Sequence, residues 1–324
     1  MLDANDALDW AEVGTQFVGF VGSFAFYGAV GARVAAPRIA DAQRAGPARF
    51  ASWGAVAGRR VATIGLMGGL LQIVGVLLAA AARAAQKHAS FTATLVGGGP
   101  RLAVQMALIA IALVGFVLAR VGVRAGWWLA GGGALALALR TITTGKWASL
   151  VNPLHVLAGG LWLGTLAVLV VALFPLLLRG DAVGRDPDVR PGGSRLDAVV
   201  RRFSRLALVS SALLGVTGVI TAWRHLGALD ALWTTPYGWA LDVKLLIVAT
   251  IAAFGFYNWR VATPALSAGS GDARLAQASL REVSLGLLVL AVTAILVSLP
   301  APAERAAAAQ PHAAPASATP DASH

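Results

Sequence analysis

Four ionisable side chains lie within apolar stretches of this chain, and their types allow metal chemistry: His155, His225, Asp242 and Lys244. Imidazole and carboxylate groups suit divalent copper, nickel or zinc, whereas thiolate and thioether sulfur selects Cu(I). The chain has no cysteine and three methionines, so a thiolate site is excluded and a methionine ladder for Cu(I) is a poor interpretation. We therefore expect His155, His225 and Asp242 to be metal ligands if they converge, with Lys244 compensating charge.

Other interpretations of these side chains stay open. Two histidines on adjacent helices are also suitable axial ligands for haem. Asp242 and Lys244 are two positions apart and do not face each other on one helix. Lys244 therefore either pairs with a partner on another helix or extends to the membrane surface. Glu12 is a further candidate for charge compensation along a pathway, although a position at the membrane interface explains it equally well.

The composition requires a membrane around the elements that carry these residues. The 324 residues are 57% hydrophobic and 13% charged, about half the charged share of ordinary globular domains, and the mean hydropathy is +0.72. Single-domain soluble enzymes and disordered chains are thereby excluded. Because a helix needs about 20 apolar residues to cross a bilayer, we predict an all-α, polytopic transmembrane bundle with about eight spans. The predicted spans are 12–34, 61–82, 102–119, 125–139, 150–178, 203–226, 237–259 and 281–299.

The arginines and lysines predict that both termini lie outside. Eighteen arginines fall on the side reached after the first, third, fifth and seventh spans, against seven arginines and lysines on the other side. Since cytoplasmic loops are enriched in these residues, the net charge of +11 is largely a topology signal. We expect the lipid bilayer as a partner, and no nucleic acid.

With this orientation the ionisable groups inside the spans share one depth near the outer side, which predicts an outward-facing vestibule. The chain divides into a four-helix half at 1–140, a second four-helix half at 141–299 and a disordered external tail, rich in alanine and proline, at 300–324. A cytoplasmic linker is expected at 180–197. No nucleophile paired with a base, phosphate-binding glycine loop or Walker motif occurs, so we expect neither an enzyme nor an ATP-driven pump.

Short motifs follow one another in the second half of the chain. They are His155-Val-Leu-Ala-Gly-Gly-Leu-Trp162-Leu-Gly164, Arg202-Phe203-Ser204-Arg205, Thr217-Gly218 before Trp223, Thr235-Pro236-Tyr237-Gly238 followed by Lys244, and Asn258-Trp259-Arg260. In this order, from about Trp147 onward, the chain resembles the bacterial copper resistance D (CopD) family of inner-membrane proteins. The first four predicted spans match that family only in general character.

The resemblance implies a multi-pass protein of the bacterial inner membrane that takes part in copper homeostasis, with copper as its ion. A periplasmic copper-binding protein of the CopC type is an implied partner. The family-like residues carried over by position are His155, Trp162, Tyr237, Gly238 and Lys244, of which Trp162 and Tyr237 join Lys244 and Glu12 as pathway candidates. The chain departs from the family pattern at Thr165, where the family often has a second glycine, and at Asp242.

Three hypotheses for function follow. The first is passage of copper across the inner membrane through an outward-facing site lined by His155, His225, Asp242 and Lys244. The second is a haem-binding membrane protein in which His155 and His225 are axial ligands. The third is a non-transporting assembly subunit, whose polar side chains only pack the bundle.

Overall fold

The fold is described from a computed structural model, which covers residues 9–36, 48–142, 148–176, 195–257, 260 and 272–303; within these ranges the side chains of 48–53, 148, 195–197 and 272–279 are not considered. The described secondary structure is helical. The helices are α1 (Trp10–Ala35), α2 (Ala48–Gln86), α3 (Phe91–Gly97), α4 (Gly99–Arg120), α5 (Ala125–Leu139), α6 (from Ala148 through Leu176), α7 (Arg195–Leu226), α8 (Ala231–Thr234), α9 (Pro236–Tyr257) and α10 (Asp272–Ser298).

Seven of these helices are long and apolar enough to cross a membrane. They correspond to seven of the eight predicted spans, so the prediction of an all-helical, multi-pass membrane bundle is confirmed. The remaining predicted span is α5, an apolar helix of 15 residues. At 1.5 Å per residue α5 is about 22 Å long, which is shorter than the roughly 30 Å of a bilayer core. The count of eight and the orientation of the termini stay predictions.

The centre of the bundle is formed by α1, α2 and α6. The largest buried cluster takes residues from α1 (Phe26), α4 (Phe116) and α6 (Leu169), so the two predicted four-helix halves share one core. Small residues allow this packing, since they let helix backbones approach closely. Gly28 of α1 lies so near Gly164 of α6 that a Cβ at either position would meet the backbone of the other helix.

Helix α6 is not a regular α-helix along its whole length. Two π-helical segments, Gly160–Gly164 and Leu169–Leu173, are separated by the single α-helical turn Thr165–Val168. The N–H of Thr165 bonds to the carbonyl of Gly160, five residues earlier, which is the π-helical pattern. These segments begin just after the part of α6 that carries His155.

The connection between α7 and α9 is short and firmly capped. Gly227 ends α7 with a φ of 71°, a backbone conformation that glycine adopts without strain. Thr235 then caps α9, because its hydroxyl accepts a hydrogen bond of 3.0 Å from the N–H of Gly238, and Pro236 occupies the first helical position. The end of α7 and the start of α9 are thereby held side by side.

Several predicted features fall on residues that the structure does not describe. These are most of the linker expected at 180–197, nearly all of the tail at 300–324, and the motif residues Asn258 and Trp259. The last three residues of the predicted linker belong to a described helix, because α7 begins at Arg195.

Candidate functional site

His155 lies on α6 and makes its side-chain contacts with α7. Its Nδ1 is 3.1 Å from the Oγ1 of Thr217, and its Cε1 lies against Gly218, where a Cβ would stand 3.3 Å away. The His155 ring is half-buried, and Thr217 is only 4% exposed. The imidazole therefore rests in a fixed place on the surface of α7.

The hydrogen bonds of Thr217 determine which nitrogen of His155 carries the proton. Thr217 has a single hydroxyl proton, and its Oγ1 lies 2.7 Å from the carbonyl oxygen of Leu213. A carbonyl can only accept, so the hydroxyl donates to Leu213 and must accept from His155. His155 also bonds to the backbone of Leu214. Nδ1 is consequently the protonated nitrogen, and the lone pair of the neutral ring is on Nε2.

Lys244 of α9 completes this group. Its side chain is half-buried and lies within electrostatic range of His155. The three residues also share one depth, since 1.5 Å per residue puts His155 about 9 Å from the start of the α6 span at Ser149 and Lys244 about 12 Å from Pro236. We call His155, Thr217 and Lys244 the inner group.

His225 lies at the end of α7, nearer the surface of the membrane than the inner group. Its Nδ1 is 2.8 Å from the carbonyl oxygen of Thr221, so Nδ1 donates and Nε2 again carries the lone pair. The ring is stacked on Tyr237 of α9, with 6.2 Å between centroids and 10° between planes. His225 and Tyr237 form the outer pair, and the buried Tyr237 fixes the plane of the imidazole.

A line of polar side chains on α7 joins the two levels. Thr217, Thr221 and His225 are spaced four residues apart, which places them along one face of a helix. The hydroxyl of Thr221 donates to the carbonyl of Thr217 at 2.8 Å, just as Nδ1 of His225 donates to the carbonyl of Thr221. We call these three residues the α7 stripe.

The structure brings only some of the predicted site residues together. Asp242 is exposed on α9, and its position two residues from Lys244 turns it away from the inner group. Trp162 is half-buried and packs beside Leu163 and Ile251, below His155 on α6. Glu12 lies in the first turn of α1, which Asp9 caps.

His155 and His225 stand at separate levels. Thr217, which holds His155, precedes His225 by eight residues on α7, or about 12 Å along the helix axis. One copper or zinc ion bonds imidazole nitrogens at about 2 Å each, so two rings on a common ion need nitrogens roughly 4 Å apart. Across the described ranges, no group of three or more His, Cys, Asp or Glu side chains is placed to hold a metal ion.

Thr217 and Thr221 were not predicted as site residues from the sequence. Their spacing could have indicated that they share a helix face with His225, because both precede it at intervals of four residues on a predicted helix. What the spacing could not supply was the contact of Thr217 with His155, which lies 62 positions away in the chain.

Two known groups of proteins are similar to this chain in sequence. Residues 197–296 match the family model described as Copper resistance protein D. The chain is also 28% identical over 157 residues to the copper transport protein CutJ of Bacillus subtilis (strain 168); the match takes in 48% of this chain and 26% of that relative. No solved structure matches the chain.

Seven long apolar helices make this a multi-pass membrane protein. The resemblance predicted from the motifs is confirmed, because the segment that holds most of α7, α9 and most of α10 is similar to the copper resistance protein D family. The chain spans about a quarter of the length of the curated relative it matches.

Proposed function

We propose that this protein carries copper across the membrane, from the outer pair to the inner group along the α7 stripe. The observation that carries the proposal is shared by both histidines. Each donates its Nδ1 proton to α7 and keeps the Nε2 lone pair for a ligand. An imidazole whose other nitrogen is fixed by such a hydrogen bond is the usual form of a metal-binding histidine.

The separation of the two levels favours stepwise passage over permanent binding. A site with one imidazole holds an ion weakly, and conduction requires binding weak enough for release. His225 would receive the ion first, and His155 would receive it about 12 Å deeper. Nitrogen ligands and the lack of sulfur in the site suit Cu(II). Lys244, as a positive charge near His155, opposes trapping of the ion.

The remaining site residues have proposed places in the same scheme. Asp242 is exposed on α9 and attracts the cation or joins as a ligand. Tyr237 holds the outer imidazole, whereas Trp162 borders the pathway below His155. Glu12 adds negative charge at the start of α1. The outer pair faces outside in the inner membrane of a bacterium, where a CopC-type protein would deliver copper.

Copper accumulation in cells that overproduce the protein tests the function. We compare the unchanged chain with His155→Ala, His225→Ala and the double variant at equal membrane abundance, and expect the double variant to lose at least about nine tenths of the added uptake. His88→Asn is the matched control, since His88 is exposed outside the spans at a φ of 49° that asparagine tolerates. Equal accumulation in all variants would reject the proposal.

Further measurements separate the scheme from its two rivals. Asp242→Asn, compared with the exposed Asp230→Asn, tests whether the carboxylate at the outer side takes part; we expect about threefold lower uptake at limiting copper for Asp242→Asn alone. A Soret band in protein purified from haem-replete cells would favour the haem hypothesis. A tightly bound, stoichiometric protein partner with no copper transport would favour an assembly subunit.

A further inference from the structure

We propose that Thr217 and Gly218 are a seat that positions His155, with Thr217 fixing the tautomer of the ring and Gly218 leaving it room. This inference rests on the proposed function only for its consequence in copper uptake. The placement of the ring itself rests on the contacts between α6 and α7. Thr217 is therefore assigned as a positioning residue and not as a ligand.

The role of the hydroxyl follows from its fixed proton. Oγ1 of Thr217 donates to Leu213 at 2.7 Å and has a second carbonyl, that of Leu214, at 3.2 Å. Oγ1 can still accept a hydrogen bond, and Nδ1 of His155 lies 3.1 Å from it. Thr217 is almost fully buried, where an unpaired donor or acceptor is destabilising. The neutral ring with the proton on Nε2 would leave two acceptors facing each other, so the structure selects Nδ1–H.

The role of the glycine is steric. A Cβ at position 218 would stand 3.3 Å from Cε1 and 3.8 Å from Nδ1 of His155, and the shorter distance is closer than ordinary van der Waals contact. The ring would have to move by a few tenths of an ångström, away from Thr217. A Thr-Gly pair thus provides one hydrogen-bond acceptor and one vacant Cβ position beneath a single imidazole.

The seat differs from the support of His225. His225 is anchored by a backbone carbonyl of its own helix, which no substitution of the Thr221 side chain removes. His155 is anchored by the side chain of Thr217 on another helix as well as by the backbone of Leu214. A single side-chain change can therefore weaken the tautomer preference of the inner histidine, whereas the outer histidine keeps its backbone anchor.

The test reads the tautomer directly by ¹⁵N NMR on the full-length protein with ¹⁵N-labelled histidine in detergent micelles. The His155 signals are assigned by their loss in His155→Asn. We expect the Nδ1–H form in the unchanged chain and in Thr217→Ser, and a shift toward the Nε2–H form in Thr217→Val and Thr217→Ala. Thr221→Val is the matched control, because it removes a hydroxyl from the same face of α7 without touching His155.

Copper uptake is the second measurement. Partners of metal-binding histidines contribute roughly 10- to 100-fold to affinity, so we expect about tenfold more copper to be needed for half-maximal uptake by Thr217→Val. Thr217→Ser should stay within about twofold of the unchanged chain, as should Ser211→Ala, which removes an α7 hydroxyl outside the stripe. Gly218→Ala should fall between these limits.

The two measurements keep the seat and the transport function separate. An unchanged His155 tautomer in both Thr217→Val and Thr217→Ala overturns the seat, even if His155→Ala abolishes uptake. A shifted tautomer together with uptake that is insensitive to His155→Ala supports the seat and rejects copper transport. Equal uptake by Thr217→Val and the unchanged chain, where His155→Ala has no uptake, overturns the positioning role.

Discussion

Helix α6 and its neighbours α7 and α9 are packed very differently. In the apolar 18-residue stretch of each span, 67% of the residues are buried in α6, against 11% in α7 and 11% in α9. The polar groups of the site nevertheless belong to α7 and α9 as much as to α6. Lipid tails are as apolar as leucine, so helices on the outside of a bundle gain little from burial. Polar side chains, however, must face protein, and here they meet where the outer helices touch the packed centre.

Stability and the proposed function therefore depend on different contacts in this protein. The centre is held by close approach of small residues such as Gly28 and Gly164. The site is held by hydrogen bonds and ring stacking at Thr217, His225 and Tyr237. Substitutions should therefore separate the two properties.

The largest effect is expected from adding a methyl group in the centre. Gly28→Ala would place a Cβ against the backbone of Gly164, and overpacking of this kind typically costs about 1–3 kcal/mol. Gly215→Ala on α7 is the matched control, since nothing lies within 4 Å of its Cβ position; its stability should change by less than about 1 kcal/mol. Thermal unfolding of the purified proteins measures the difference, and equal destabilisation by both variants would contradict the comparison.

An intermediate effect is expected at the inner group. Lys244→Met removes the positive charge within range of His155 while keeping much of the apolar length, so copper should bind more tightly and leave more slowly. We expect about tenfold lower uptake with more copper retained by the purified protein, whereas the exposed Lys87→Met should match the unchanged chain. Uptake and retention that both stay unchanged in Lys244→Met would remove Lys244 from the scheme.

The smallest effect is expected at Asp9, which caps the start of α1. The exposed carboxylate of Asp9 accepts hydrogen bonds from the backbone N–H groups of Ala11 and Glu12 and from the side chain of Gln86, which lowers the pKa of Asp9 below its ordinary value. A lowered pKa stabilises the folded state at neutral pH, and this contribution is lost as the pH falls below about 4.

Hydrogen exchange reports this small effect. The amides of Ala11 and Glu12 should lose protection as the pH falls below about 4, and Asp9→Asn should abolish that pH dependence while leaving the inner group unchanged. Copper uptake at neutral pH should be the same in Asp9→Asn and the unchanged chain. A large loss of uptake in Asp9→Asn would contradict this ranking of the effects.

The sequence predicted most of the fold because apolar length is a strong signal. Seven predicted spans have counterparts among the long helices, and the short eighth one, α5, is helical over the predicted residues 125–139. Sequence periodicity could not predict the π-helical segments of α6, since they arise where α6 packs closely on α1 around Gly164.

The residue types of the candidate site could be predicted from the sequence, but their spatial arrangement could not. Histidine and lysine inside apolar stretches stand out because charge is costly in a membrane, and the motifs around His155 and Tyr237 gave the resemblance to the copper resistance protein D family. The sequence placed His155, His225 and Asp242 at one depth. In the structure Asp242 is exposed on α9, and the two histidines, one on α6 and one on α7, bond to α7 at different levels.

The sequence by itself determined that this chain is a helical membrane protein with family-like histidine and lysine positions, because hydropathy and short motifs are local properties. Only the tertiary structure decided which partners those side chains have. Whether His155 meets Thr217, Lys244 or His225 depends on the crossing of α6, α7 and α9, and that crossing is fixed by packing between residues distant in the chain.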